Sequence, residues 1–201
     1  MGNTDRIVVP WFKKHIKATP PTALLGFTNN KTFEGDCYDR ELGNWEINSK
    51  WQLPKKYKTV ISLRCPYFAK SPLGFINRCH SSLDENGMLY ASWGYGDHWG
   101  FRRFKVGWEK DGEHEYAYAD DNYLWSGIWD DSFMDEPEVR KFAARCKKQH
   151  GYRSLPEAIN NEVPTHIILK PIQEMFDVKC HFFCTTVPRL QLYILLCGKK
   201  I

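Results

Sequence analysis

The segment from Thr59 to Trp93 constrains the fold more than any other. It opens with TVISLRCPYF, in which Val60, Ile61 and Leu63 form the short apolar run of a buried strand. Ser71 then stands where a helix cap belongs, with Pro72 at the first helical position. Leu73, Ile76, Cys79 and Leu83 follow at near-helical spacing, and Asn86-Gly87 marks the stop. Met88 to Trp93 supplies the next strand. Strand, helix and strand in this order predict a parallel crossover, right-handed by the usual chirality, with the apolar stripe of the helix packed on the sheet.

Other segments fit around this unit. Ala23 to Phe27 is a second apolar run, ending in Gly-Phe-Thr-Asn-Asn, where Gly and Asn tolerate the tight backbone of a strand exit. About 37 residues separate Ala23 from Val60. One crossover takes roughly 30 residues, so only one is expected in that interval. Phe104, Val106, Trp108, Tyr116 and Tyr118 alternate about Asp111-Gly112 and predict a β-hairpin over 102–118. Asp135 and Glu138 open an amphipathic helix carrying Val139, Phe142, Ala143 and Cys146. Val178 to Thr185 and Leu190 to Cys197 are strands linked through Val-Pro-Arg, so short a link that they must run antiparallel.

Composition narrows the class. The chain has 201 residues, 42% hydrophobic and 26% charged, a globular balance, and no apolar run approaches the roughly 20 residues of a membrane span. The reading is one domain over 1–201 with an insertion at about 94–135, free of membrane address and cytoplasmic. Seven cysteines, an odd count without a C-x-x-C pair, read as reduced thiols. Cys180, His181 and Cys184 would scatter over both faces of a strand, so no metal is expected. A net charge of +4 permits an anionic partner without requiring one. Five of the eight tryptophans (93, 99, 108, 125, 129) cluster in one central stretch and ask for a role.

The stretch from TVISLRCPYFAKSPLGFINRCHSSLDENGMLYASW through RLQLYILLCGKK resembles the class I S-adenosylmethionine-dependent methyltransferases. The shared order is a strand with its loop, a Ser-Pro-led helix, a turn into the next strand and a closing antiparallel hairpin. The resemblance covers the carboxyl two-thirds of the chain. It implies a Rossmann-like α/β domain, mostly parallel, with S-adenosyl-L-methionine as cofactor. ALLGFTNN is then the counterpart of the first strand and its cofactor loop, with Gly26 alone where the family has two or three glycines. A reduced amino-terminal half of the sheet is also implied.

Under that resemblance Gly26, Thr28 and Asn29 would cradle the cofactor. Asp36 would grip its ribose, with Asp39 and Glu46 as alternatives by position, and Ser62, Arg64 and Tyr67 would exit the next strand toward the same crevice. Arg64 could pair with the cofactor carboxylate. The loop Trp93-Gly-Tyr95-Gly-Asp97-His98-Trp99 combines an acid, an imidazole and flat aromatics. Asp97 or His98 could take a proton from the acceptor, while Trp93, Tyr95, Trp99 and Trp125 could hold it by stacking. A small molecule or a protein side chain is the favoured acceptor, because Asp120, Asp121, Asp130 and Asp131 crowd the same tryptophans. The alternative is a binding protein that keeps the fold but has lost the cofactor and engages nucleic acid or protein through its tryptophan-rich insertion.

Overall fold

The computed structural model describes residues 3–69, 71–94, 137, 141, 172–185 and 191–201. The elements in chain order are α1 (Asn3–Lys13), β1 (Thr22–Leu25), β2 (Asp36–Tyr38), β3 (Tyr57–Leu63), α2 (Pro72–Ser82), β4 (Leu83–Gly94), β5 (Phe176–Thr185) and β6 (Gln191–Lys200). A 3-10 turn, Pro66–Phe68, precedes α2. The strands form one sheet in the order β2-β1-β3-β4-β6-β5. The first four run parallel, and β6 runs antiparallel to both β4 and β5. The fold is therefore the expected α/β architecture with a closing antiparallel hairpin. The hairpin expected over 102–118 and nearly all of the helix from Asp135 lie outside the described residues.

Alternation along the strands separates two apolar faces. Ala23, Leu25, Val60, Leu89, Ala91, Ile194 and Leu196 pack with Phe75, Ile76 and Cys79 of α2. Leu24, Ile61, Leu63, Tyr90, Tyr193, Leu195 and Cys197 pack with Val8, Phe12 and Ile16 at and beyond the end of α1. A parallel sheet requires cover on both sides, and here one helix contributes to each.

The β3–α2–β4 unit follows its sequence signals closely. Ser71 Oγ accepts from the Gly74 N–H at 3.1 Å, and Pro72 occupies the first turn, where its missing donor costs nothing. The helix ends at Ser82, earlier than Asn86-Gly87 implies, and β4 begins at once. Asn86, at φ 60°, instead marks an irregularity within β4. There Tyr57 pairs with Leu83 but Thr59 pairs with Met88.

Between β1 and β3 the chain makes two parallel connections where one was expected. Both fit because neither contains a helix, and β2 is only three residues long. The longer connection covers the sheet with aromatic anchors instead. Trp45, Ile47, Trp51 and Leu53 are buried in the core shared with α2. Trp45 and Trp51 meet edge to face at 5.5 Å, Trp51 Nε1 donates to the Ile47 carbonyl, and the Arg78 guanidinium of α2 lies 5.2 Å from the Trp51 ring.

Candidate functional site

The strand order locates the site before any side chain is considered. From β1 the chain moves outward to β2, then returns across β1 to reach β3 on its other side. The carboxyl ends of β1 and β3 thus flank the point where the direction of winding reverses. Open α/β sheets bind ligands in the crevice at that point, because the loops diverge there and leave space. A cavity of about 380 Å³ opens at this position. It is lined by Gly26 after β1, by Asp39, Arg40, Glu41 and Trp45 to Asn48 after β2, and by Leu63, Arg64, Cys65 and Phe68 at and after the end of β3. The volume falls in the range typical of small-molecule sites.

Gly26 is fixed by two requirements. Its φ is +78°, a left-handed value that side chains resist, and an added Cβ would stand 2.7 Å from Cys65 Cβ and 2.8 Å from its sulfur. Its N–H donates to the Tyr38 carbonyl at 2.7 Å, tying the β1 exit to β2. Ser62 works at the same junction. Its hydroxyl is fully buried and donates to the Leu25 carbonyl at 3.1 Å, so it stitches β3 to β1 and does not line the cavity. Burial pushes the Cys65 thiol up to about 12, and the negative charge of Asp39 adds to the effect. The thiol stays protonated at neutral pH and packs against Gly26 as an inert group.

The two ends of β2 carry different acids. Asp36 opens the strand beside Ala23, where its carboxylate accepts from the Tyr57 hydroxyl at 2.8 Å and lies 2.9 Å from Lys55 Nζ. These two hydrogen bonds, with Lys55 first, hold its carboxyl below the usual range. Asp36, the expected ribose contact, lies outside the cavity lining, whereas Asp39, the alternative by position, borders it. Asp39 follows the last residue of β2 and does line the cavity. One of its oxygens accepts from the Glu41 N–H at 2.8 Å, and its own N–H donates to Asn44 Oδ1 at 3.0 Å. The loop thus fixes the carboxylate at the cavity wall while leaving it capacity to accept more bonds.

Arg64 is the cavity's other distinctive residue. It adopts φ 56°, uncommon for a side chain of this size, and its N–H is held by the Ser92 carbonyl and hydroxyl at 3.0 and 3.2 Å. The guanidinium lies 5.9 Å from the Tyr193 ring, and Nε is buried without a hydrogen-bond partner. A left-handed backbone and an unsatisfied charged donor in one residue are the kind of strain that persists at functional sites. Three carboxylates (Asp39, Glu41, Glu46) and two guanidinium groups (Arg40, Arg64) border the cavity, an excess of negative charge. Arg40 and Glu46 approach to 3.7 Å at its rim.

Other expected site residues are placed elsewhere. Thr28 and Asn29 form an exposed turn in which Asn29 Oδ1 accepts from the Lys31 N–H, and neither lines the cavity. Tyr67 belongs to the 3-10 turn beside the cavity, and Trp93 pairs with Ile194 near the end of β4, but their side chains lie outside the described residues. Tyr95, Asp97, His98, Trp99 and Trp125 lie wholly outside them. The loop wall from Arg40 to Asn48 was not foreseen as a unit. Its signal is the pair Trp45 and Ile47 followed by Trp51 and Leu53, an apolar pattern in an otherwise polar stretch.

No family model matches the sequence, and no curated protein matches it. Among solved structures the chain is similar to the N-methyltransferase NodS from Bradyrhizobium japonicum WM9, which was crystallised with S-adenosyl-L-homocysteine. Identity is 9%, the match covers 98% of this chain and 86% of that one, and the TM-score is 0.48. It is also similar to an S-adenosylmethionine-dependent methyltransferase from Mesorhizobium loti, at 12% identity over 95% of this chain and 96% of that one, with a TM-score of 0.46.

Proposed function

We propose that the chain is a methyltransferase that binds S-adenosyl-L-methionine in the cavity at the carboxyl ends of β1, β2 and β3. The observation that carries this reading is the cavity at the winding reversal, with Asp39 on one wall and Arg64 on another. The residues suit the cofactor. A carboxylate at the end of β2 can accept from both hydroxyls of a ribose, and the Arg64 guanidinium, whose Nε has no partner, can pair with the cofactor's carboxylate. The excess of carboxylates suits a cation.

When bound, the cofactor supplies an electrophilic methyl group on its sulfonium. This chain's residues bind, orient and shield it. Gly26 and Cys65 close one side of the crevice without contributing a reactive group, since the raised thiol pKa keeps Cys65 neutral. Transfer by in-line displacement can run on positioning and desolvation alone. Asp97 or His98 would receive the acceptor's proton, and Trp93, Tyr95, Trp99 and Trp125 would hold a small molecule or a protein side chain.

Calorimetric titration with S-adenosylmethionine and S-adenosylhomocysteine tests the reading. Saturable binding is expected, and Arg64→Met should weaken it about tenfold or more, the worth of one charge-assisted hydrogen bond. Unchanged affinity in a folded Arg64→Met variant removes Arg64 from the site. Absence of heat and of any thermal shift at millimolar ligand overturns the cofactor assignment.

A further inference from the structure

The far edge of the sheet from β2 carries a second cluster of chemistry, separate from the cavity. There the end of α1 packs on β5 through aromatic rings. Trp11 stacks on Phe183 at 4.9 Å with an interplanar angle of 17°, and His15 stacks on His181 at 4.1 Å and 30°. Lys14, next to His15, adds positive charge beside that ring, and Lys179, two residues before His181 on the same face of β5, acts on both rings. Among the described residues none of these four has a carboxylate partner. The charged neighbours on the packed elements are Lys13 and Lys17 flanking on the α1 side, Asp177 on β5 and Lys199 on β6. Asp177 and Lys199 face each other in register.

Such an arrangement is incomplete by itself. Two imidazoles in face contact beside two ammonium groups resist taking up protons. Both histidines are held below their ordinary 6.5, by burial first, then by Lys179 and Lys14 for His15, and by His15 and Lys179 for His181. An oxyanion seated among the four would reverse that balance. It would offer acceptors to the ring N–H groups and to both lysines, and would neutralise the charge that protonation creates. A phosphate-type oxyanion, with several oxygens and at once acceptor and counterion, matches this set better than a carboxylate.

We propose that Lys14, His15, Lys179 and His181 form a phosphate-binding site whose affinity is coupled to histidine protonation. The phosphate belongs either to a small phosphorylated ligand or to a nucleic-acid backbone. The site is independent of the cofactor cavity. Because burial and the neighbouring positive charge keep the free histidines neutral to lower pH than usual, and the bound anion favours their charged forms, binding takes up protons. The histidine contribution to affinity must therefore rise as pH falls from the bound toward the lowered free titration of the rings.

The test titrates the whole chain with inorganic phosphate, and separately with a labelled single-stranded oligonucleotide, at low salt and at several pH values between about 8 and 6. Histidine ring protons are followed by NMR in the phosphate arm. The expected result is tighter binding at lower pH, with both ring titrations moved upward by the ligand. Affinity should fall about tenfold or more in Lys14→Gln/Lys179→Gln, a surface variant that leaves the ring stacks in place. A response to both probes assigns the site to free phosphate chemistry, and a response to the oligonucleotide alone assigns it to a nucleic-acid backbone. Binding that is absent for both probes, indifferent to pH, or unchanged in the double variant overturns the proposal.

Discussion

The two sides of β3 solve the same problem by different means. On one side the chain reaches β4 through α2, a capped helix whose Phe75, Ile76 and Cys79 bury a regular stripe. On the other side it reaches β2 and returns through helix-free segments, and Trp45, Ile47, Trp51 and Leu53 do the covering. A helix fills the surface it lies on. A loop pinned at a few aromatic points leaves gaps between them, and the cavity lies in such a gap. The regular half builds the platform, and the irregular half builds the site.

The sharpest way to break this comparison is to remove one anchor from each half. Trp51→Ala and Phe75→Ala should each cost about 3–5 kcal/mol in urea unfolding, as large aromatic truncations in a core do. If Trp51→Ala costs less than about 1 kcal/mol, the loop is not the functional equivalent of the helix as cover. Gly26→Ala comes next, at roughly 2–4 kcal/mol, combining a left-handed backbone with overpacking against Cys65. A neutral result would mean that the β1 exit can move away from Cys65.

The smallest effect separates the two ends of β2. Asp39→Asn should weaken S-adenosylhomocysteine binding about tenfold with little change in stability, since its carboxylate lines the cavity. Asp36→Asn should leave binding intact and should remove the stabilisation linked to its depressed pKa. That stabilisation is present above the ordinary value of 3.8 and is lost as pH falls through the lower folded value, so the variant's acid unfolding should depend less on pH in that window. The opposite pattern, with Asp36 controlling affinity, would move the ribose contact to the wrong end of the strand.

The same contrast explains what could be read in the sequence. The β3–α2–β4 unit was legible because cap, proline, periodic stripe and strand each leave a local signal, and all of them agree. The closing hairpin was legible because a short link leaves only one pairing. β2 left almost no signal, since Asp36-Cys37-Tyr38 is too short to alternate, and the count of crossovers failed because it assumed a helix in each. α1 was obscured by Pro10, which normally breaks a helix, although Val8 and Phe12, four residues apart, mark its buried side, with Ile16 continuing the spacing beyond its end. Gly26 and Arg64 border the cavity, as their positions at strand exits suggest. Which of Asp36 and Asp39 borders the cavity depends on where β2 ends, which the sequence does not mark. Ser62 had the right address but points between strands to the Leu25 carbonyl.

The central claim is that the loop-built cavity is the cofactor end of a methyl-transfer site. A crystal structure of the chain with S-adenosylhomocysteine tests it most directly. The account predicts the ligand between the ends of β1 and β3, its ribose hydroxyls within hydrogen-bond distance of the Asp39 carboxylate and its carboxylate on the Arg64 guanidinium. Ligand bound anywhere else, or a cavity that stays empty at saturating concentration, would contradict it.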